Sequence, residues 1–213
     1  MRRYSSQSMS AIKQFLDLTA KKKPVIAVVG DILVDEYYKI NAERVSPEFP
    51  IPVMESNTLE PSYARPGGAG NVCEQFRHFN VDVKVLGLID RRVKEVMSHF
   101  DLSGCVELPS SAHVPIKRRL YQGTDLNRGI AGFPLCRWDI ESDCYYLSEA
   151  ELRRSQREIY RNLCSIKPDV IIYSDYSKGL FSLGVGANLW AAHHSDALKI
   201  VDPKDGPSAG GAL

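Results

Sequence analysis

The chain has 213 residues, a formal net charge of +1 and an apolar content of 44%. This length fits one domain with a small appendage, and the near-neutral charge gives no general attraction to nucleic acid or to a membrane. No apolar run is long enough to span a bilayer. The five cysteines form no close C-x-x-C pair. Their number and spacing argue against a disulfide framework or a zinc knuckle and favour a reducing compartment, the cytoplasm.

The first predicted elements are an amino-terminal helix and a buried strand. Residues 11–16 have an amphipathic pattern, and residues 1–24 are therefore assigned to a helical extension. Residues 25–29 form a continuous apolar run, which is typical of a parallel strand buried on both faces. The next residues, about 36–64, carry several prolines and no helical period. They are predicted to form a small β flap with a returning strand over residues 115–122.

A glycine pair precedes the second predicted helix. Gly67 and Gly68 leave the backbone bare, so that a ligand can approach it closely. The pattern that follows predicts a helix over 70–79, with free N–H groups at its start and with Asn71 in its first turn. This arrangement could clamp a hydroxyl-rich molecule, or it could be a glycine turn that only starts a helix. The apolar face of this helix is predicted to consist of Val72, Phe76 and Phe79.

The rest of the chain alternates strands and helices. The predicted elements are a strand over 81–88, a helix over 91–100, a loop over 123–134, a helix opened by a Ser148–Glu151 capping box, a strand over 169–174, a helix over 182–197 and a strand over 198–201. The buried face of the helix that begins after Ser148 is predicted to consist of Leu152, Ile159, Leu163 and Ile166. The order of the elements predicts an α/β fold, with a parallel sheet flanked by helices. In such sheets ligands bind beyond the carboxyl ends of the strands.

Three aspartates follow predicted strands, namely Asp31, Asp175 and Asp202. The carboxyl ends of parallel strands meet at one edge, so these residues predict a common site, although aspartate also favours turns for local reasons. Asp35 points to the same side as Asp31 if the strand continues, because the two are four residues apart. Carboxylates suit sugar binding because they accept strong hydrogen bonds from hydroxyls. Lys178 could hold a substrate phosphate, or it could be a solvated lysine in a turn.

A run of three basic residues, Lys117, Arg118 and Arg119, lies on the predicted flap. Alternate residues of a strand face opposite sides, so one or two of these side chains at most could reach a site. The ordinary interpretation of such a run is a solvated face.

Several segments resemble those of the PfkB-type (ribokinase-like) carbohydrate kinases. The likeness covers roughly residues 25–205, and its segments are residues 28–35, 44–53, 65–72, 174–179 and 201–204. The glycine motif Arg-Pro-Gly-Gly-Ala-Gly-Asn-Val is shared across the superfamily. The segment Arg-Val-Ser-Pro-Glu-Phe-Pro-Ile-Pro-Val is the more specific signal, and it resembles the heptose-7-phosphate kinase domain of the bifunctional ADP-heptose synthesis protein.

The resemblance implies a ribokinase-like parallel sheet with a small β lid, in a partial domain over residues 25–213 that is truncated at its carboxyl end. In the family pattern Asp35 matches the sugar-binding aspartate, and Asp31 matches the Gly-Asp of the heptose branch. The residues that match the sugar-contacting glycine motif are Gly67, Gly68 and Asn71. The implied reaction transfers phosphate from ATP, with Mg²⁺, to the anomeric hydroxyl of a heptose 7-phosphate. A homodimer through the lid is also implied.

The sequence lacks two segments of that family, the Gly-Ala-Gly-Asp that carries the catalytic base and the Asn-x-x-Glu associated with magnesium and phosphate. No catalytic residue and no metal ligand are therefore assigned, and the chain by itself is expected to show no appreciable kinase activity. The alternative function is a catalytically inactive sugar-phosphate-binding paralogue or fragment. A dinucleotide-dependent oxidoreductase is disfavoured, because only Gly30 follows the first strand where a glycine-rich turn is needed.

Overall fold

The computed structural model describes Lys13, Asp17 and residues 23–123, 132–141, 147–182 and 196–203. The strands are β1 (Val25–Gly30), β2 (Ile32–Val45), β3 (Pro52–Glu55), β4 (Tyr63–Gly68), β5 (Asp82–Leu86), β6 (Leu88–Ile89), β7 (Val106–Glu107), β8 (Ile116–Gln122), β9 (Phe133–Ile140), β10 (Val170–Asp175) and β11 (Leu198–Pro203). The helices are α1 (Ala69–Gln75), α2 (Arg91–Val96) and α3 (Glu149–Ser165).

Part of the predicted structure lies outside these residues. Of the predicted amino-terminal extension before residue 23, only Lys13 and Asp17 are described, and both are helical and exposed. The predicted helix over 182–197 falls almost entirely on residues 183–195, which are likewise outside the described residues.

The main sheet is parallel, as predicted, with the strand order β11-β10-β1-β5. Strand β1 lies between two neighbours, and the residues from Ile26 to Val29 are fully buried. This burial explains the unbroken apolar run, because both faces of a central parallel strand are covered. All four strands end at the same edge of the sheet, and residues 31, 175–178 and 202 lie at or just beyond that edge.

Helix α3 packs on this sheet through the predicted apolar face, since Leu152, Ile159 and Leu163 are buried. Its capping box is also confirmed. The Ser148 hydroxyl accepts a hydrogen bond from the Glu151 backbone N–H, and the Glu151 carboxylate accepts one from the Ser148 backbone N–H at 2.8 Å. In the described part of the chain, no helix combines the length and the apolar character that crossing a bilayer requires.

A second sheet forms the predicted flap, here called the lid. Its strand order is β3-β2-β8-β9, and β4 pairs with the start of β2. The lid begins earlier than predicted. Its strand β2 starts at Ile32, so that only Asp31 separates it from the end of β1 in the main sheet. It also contains β9, where the sequence indicated a loop over 123–134 and no following strand. Most residues of β9 are exposed, and its sequence therefore shows no alternation of apolar and polar residues. The strand is recognised by its antiparallel hydrogen bonding with β8.

Three further predictions need correction in their boundaries. Helix α1 ends at Gln75 instead of residue 79, and Phe79 lies beyond it with 58% of its surface exposed. The buried face of α1 is formed by Ala69, Gly70 and Cys73, because the small residues allow the closest approach to the sheets. The predicted strand over 81–88 is interrupted at Gly87, and the predicted helix over 91–100 ends at Val96.

Candidate functional site

One face of the lid, here called the inner face, carries alternating charged and aromatic side chains. Asp35 of β2 pairs in register with Lys117 of β8, which in turn pairs with Asp139 of β9. Paired residues of a sheet share a face, and so do residues two apart along a strand. The described members of the inner face that concern the site are Asp35, Tyr37, Lys117, Arg119, Arg137 and Asp139.

The basic run on β8 is divided between the two faces of the lid, as the alternation predicted. Arg118 faces the other way, where its Nε donates to the buried carboxylate of Glu36 at 2.8 Å. Its guanidinium also lies 4.9 Å from the ring centroid of Trp138. The run is therefore not a solvated face, because each of its three members is half-buried and Arg118 and Arg119 are ion-paired.

Asp35 lies at the centre of the inner face, and 13% of its side chain is exposed. Its carboxylate pairs with the Arg119 guanidinium, which itself lies 5.4 Å from the ring centroid of Tyr37. A Cβ added at Gly67 would lie 3.0 Å from Asp35 Oδ2. Because glycine has no such atom, the carboxylate can approach the backbone closely at this position. The structure thus brings together two of the predicted site residues.

The loop after β10, residues 176–180, faces the lid from the main sheet and is here called the β10 loop. At the start of this loop, Asp175 Oδ1 accepts a hydrogen bond from the Ser177 backbone N–H at 2.7 Å. Lys117 Nζ lies 5.8 Å from the ring centroid of Tyr176. The Lys178 ammonium pairs with the carboxylate of Glu141, which directly follows β9. Two side chains of this loop therefore contact residues that belong to or directly follow the lid strands.

Tyr176 is protonated at physiological pH. Burial raises the pKa of its phenol above the usual 10.0, and the nearby carboxylates of Asp202 and Asp35 raise it further. The hydroxyl can therefore donate a hydrogen bond to a ligand. Asp202 itself is exposed on β11, in register with Ser174 of β10, so it lies at the same edge of the main sheet.

Asp31 directly follows β1, as predicted. It precedes β2 instead of lying on it, and its side chain is fully buried. Its carboxylate accepts hydrogen bonds from the backbone N–H groups of Tyr176, Lys178 and Leu180, at 3.0, 3.0 and 3.1 Å. The backbone of the β10 loop therefore encloses the carboxylate, and contact of Asp31 with a ligand stays a prediction.

The start of α1 is joined to the same region. Gly68 is its N-cap with a φ of 58°, and the first helical N–H, that of Ala69, donates to the Asp31 backbone carbonyl at 2.9 Å. This N–H is therefore used inside the fold. Asn71 lies exposed in the first turn of α1. Contact of Asn71 with a ligand stays a prediction.

Sequence reasoning did not single out several residues of this region for the site. The largest group is on the lid, and it consists of Lys117, Arg119, Arg137 and Asp139, with Tyr176 opposite. The available signal was the strand period, which places alternate members of residues 117–121 on the face of Asp35. A cavity of about 320 Å³ lies against this part of the lid, and its lining includes Arg119, Tyr121, Leu135 and Arg137.

No protein-family profile matches the chain. Among curated proteins, it is 28% identical over 194 residues to the bifunctional protein HldE of Coxiella burnetii, with 89% of this chain and 37% of that protein covered. It is 30% identical over 188 residues to HldE of Gluconobacter oxydans, with 84% and 36% covered. The chain thus spans little more than a third of the length of these relatives.

Among solved structures, the fold matches phosphofructokinase-2 from Escherichia coli in complex with fructose 6-phosphate, with a TM-score of 0.53, 13% identity, and 85% of this chain and 55% of that chain covered. It also matches a candidate 1-phosphofructokinase from Thermotoga maritima, with a TM-score of 0.53, 14% identity, and 84% and 53% covered. At this identity the likeness concerns the fold.

The fold is therefore that of the PfkB-type (ribokinase-like) carbohydrate kinases, of which the chain matches a part. Within that class, its sequence is similar to the bifunctional protein HldE over most of its own length. The resemblance drawn from the sequence is confirmed.

Proposed function

We propose that the chain is a sugar kinase of the heptose-7-phosphate kinase type, which holds a sugar phosphate between the inner face of the lid and the carboxyl edge of the main sheet. The observation that carries this proposal is the position of Asp35 beside the bare backbone of Gly67, on a lid face that meets the β10 loop. The similarity to HldE supports the sugar class. The fructose 6-phosphate bound to the E. coli enzyme of the same fold supports a phosphorylated ligand.

In this proposal Asp35 accepts hydrogen bonds from neighbouring sugar hydroxyls, and Arg119 holds its carboxylate in place. A carboxylate accepts such bonds strongly, and it binds two adjacent hydroxyls through two oxygens. Gly67 and Asn71 line the same site, and Gly68, the N-cap of α1, joins them. Tyr176, which is protonated, donates to a sugar oxygen.

The phosphate of the substrate is assigned to Lys178, with Lys117 of the lid as its neighbour across Tyr176. Lys178 is paired with Glu141 in the structure, so the phosphate would replace that carboxylate. Asp175 contributes indirectly, because its hydrogen bond with the Ser177 N–H stabilises the start of the β10 loop. The exchange of Glu141 for the phosphate is favourable, because a phosphate carries more negative charge than a carboxylate and binds the Lys178 ammonium more strongly.

Phosphoryl transfer needs a sugar hydroxyl held in line with the γ-phosphate of ATP, together with groups that offset the transferred charge. The residues above supply the first requirement. Mg²⁺ is implied by the kinase class, but in the described ranges no group of three or more His, Cys, Asp or Glu residues is arranged to hold a metal ion. No step is therefore assigned here to the ion or to the nucleotide.

Calorimetry tests the binding step. The chain is titrated with heptose 7-phosphate and, separately, with the unphosphorylated heptose. Asp35→Asn should lower the affinity for both by at least about tenfold, because hydrogen bonds to a charged group are lost. Lys178→Gln should lower only the affinity for the phosphorylated sugar. The matched control is Glu43→Gln, because Glu43 lies on the same strand eight residues further along. Unchanged binding by Asp35→Asn would contradict the proposal.

Release of ADP from ATP in the presence of Mg²⁺ and heptose 7-phosphate tests the transfer step. Turnover that Asp35→Asn abolishes would support the kinase, and it would contradict the expectation, drawn from the missing Gly-Ala-Gly-Asp segment, that the chain by itself is inactive. Sugar-phosphate binding without turnover would support the alternative function, a binding paralogue or fragment.

The proposal includes a compartment and a partner. The cysteines at positions 73, 105, 136 and 164 are free, which fits a reducing compartment such as the cytoplasm. The partner is a second copy of the chain, bound through the lid, where exposed apolar side chains occur on and near β3.

A further inference from the structure

The Asp31 carboxylate joins elements that are far apart in the sequence. It is fully buried, and it accepts from three alternate backbone N–H groups of the β10 loop, those of Tyr176, Lys178 and Leu180. The backbone of Asp31 is bound as well. Its N–H donates to the Ser174 carbonyl at 3.1 Å, and its carbonyl accepts from the first N–H of α1.

Along the β10 loop the backbone φ angle changes sign from one residue to the next. Ser177 has a φ of 55° and Gly179 has a φ of 112°, so each residue between two donors is in a left-handed conformation. This alternation turns the N–H groups of every second residue toward one point, where a carboxylate is bound strongly. For a residue with a side chain, such as Ser177, the left-handed conformation is unfavourable by itself. The Asp31 carboxylate therefore stabilises a loop geometry that the chain would otherwise not favour.

Two of the three residues bound through their backbone, Tyr176 and Lys178, direct their side chains toward the lid. Tyr176 lies beneath Lys117, and Lys178 pairs with Glu141. The same two residues donate their N–H groups to Asp31 Oδ2. The position of the Asp31 carboxylate thus determines where the side chains of Tyr176 and Lys178 contact the lid.

We infer that Asp31 is a positioning residue, which fixes the β10 loop so that Lys178 and Tyr176 are placed against the lid and the substrate phosphate. Asp31 touches no substrate in this scheme. The substrate part of this inference rests on the proposed function, whereas the anchoring of the loop does not.

Limited proteolysis tests the anchoring. Trypsin cleaves after Lys178 only when the loop opens. Asp31→Asn should increase the rate of cleavage between Lys178 and Gly179 by at least about tenfold, because an amide replaces one of the two acceptor oxygens with a donor. The control is Asp169→Asn, because Asp169 accepts from the Val25 N–H at 2.8 Å and so joins the same two strands at their opposite ends. Asp169→Asn should leave cleavage after Lys178 unchanged.

A second variant covers the case in which Asp31→Asn does not fold. Gly179→Ala disturbs the loop from its other side, because alanine disfavours a φ of 112°. It should also accelerate cleavage after Lys178. A folded Asp31→Asn chain that is cleaved at the wild-type rate would overturn the inference, and so would unchanged cleavage of Gly179→Ala.

Calorimetry then separates positioning from a general loss of structure. Asp31→Asn should weaken the binding of heptose 7-phosphate by about tenfold more than the binding of the unphosphorylated heptose, because Lys178 is displaced. An equal loss for both ligands would contradict the positioning role. If the wild-type chain binds neither ligand, the proposed function fails, and the trypsin result still decides whether Asp31 anchors the loop.

Discussion

Among the single residues, the two glycines of the motif serve different purposes. Gly68 has a left-handed φ of 58°, and a Cβ there would lie 2.1 Å from Leu33 Cδ1 and 2.3 Å from the Asp31 carbonyl oxygen. The fold therefore requires glycine at this position. At Gly67 an added Cβ would instead approach the carboxylate of Asp35. The first glycine thus belongs to the candidate site, and the second belongs to the packing of β2 against α1.

Gly68→Ala should lower the free energy of unfolding by about 2–4 kcal/mol, because it combines a left-handed backbone with a steric overlap. The matched control is Gly123→Ala. Gly123 also has a positive φ, of 75°, but an added Cβ would meet nothing within 4 Å. Its cost should be only about 1–2 kcal/mol. Urea denaturation of the two variants measures the difference, and equal losses would show that overlap with Leu33 and Asp31 is not the cause.

Among the elements, β9 shows how a strand forms without an apolar pattern. Most of its residues are exposed, and its pairing with β8 supplies the ladder that defines it. Along its inner face, the Arg137 guanidinium donates to both oxygens of Asp139, with Nε at 2.6 Å from Oδ1. This pair keeps two charged side chains extended along the strand beside Asp35 and Lys117.

The Arg137–Asp139 pair makes part of the lid sensitive to acid. The hydrogen bond from Arg137 holds the pKa of Asp139 below its usual 3.8. A carboxyl whose pKa is lower in the folded state stabilises the fold above its unfolded pKa, and this contribution is lost as the pH falls through the folded value. The Arg137→Gln variant should therefore be less stable than the wild type by about 0.2–1 kcal/mol at pH 7. The difference should be smaller at an acidic pH, below 3.8, where the Asp139 carboxyl becomes protonated.

Two measurements check this expectation. Urea denaturation at both pH values gives the stability difference, and an NMR titration of Asp139 should show its pKa rising toward 3.8 in Arg137→Gln. Arg44→Gln is the control, because it removes an exposed ion pair with Glu55 between two other strands of the lid. A titration of Asp139 that Arg137→Gln leaves unchanged would show that the pair does not determine this pKa.

At the scale of the whole molecule, most of the exposed large apolar side chains among the described residues lie on or next to the lid. Val45, Phe49 and Ile51 around the β2–β3 connection have 66%, 65% and 56% of their surface exposed. The main sheet differs, because its central strands β1 and β10 are almost fully buried. Apolar surface that is grouped at one place on a protein usually contacts a partner. This arrangement favours the proposed association of two copies through their lids.

Sedimentation analysis of the chain should give a dimer, and Ile51→Glu should convert it to a monomer, because a charge would be buried in the interface. Phe79→Glu is the control, since Phe79 is similarly exposed, at 58%, but follows α1 on the main body. It should leave the dimer intact. A wild-type chain that sediments as a monomer at high concentration would contradict the lid dimer.

The sequence alone determined the features whose cause is local or periodic. The apolar run of β1, the Ser148–Glu151 capping box and the apolar face of α3 could each be predicted because their interactions lie within a few residues. The alternation of strands and helices likewise determined the parallel sheet and the edge at which Asp175 lies.

Only the tertiary structure decided which predicted residues are exposed to a ligand and which are part of the framework. The partners of the Asp31 carboxylate are 145 to 149 residues away, and Arg119 lies 84 residues from Asp35. No local pattern encodes such pairs, because hydrogen bonds between distant residues depend on how the strands are placed. For the same reason, two aspartates that lie four residues apart in the sequence have different surroundings in the fold. Asp35 keeps part of its side chain exposed on the inner face of the lid, whereas Asp31 is enclosed by the backbone of the β10 loop.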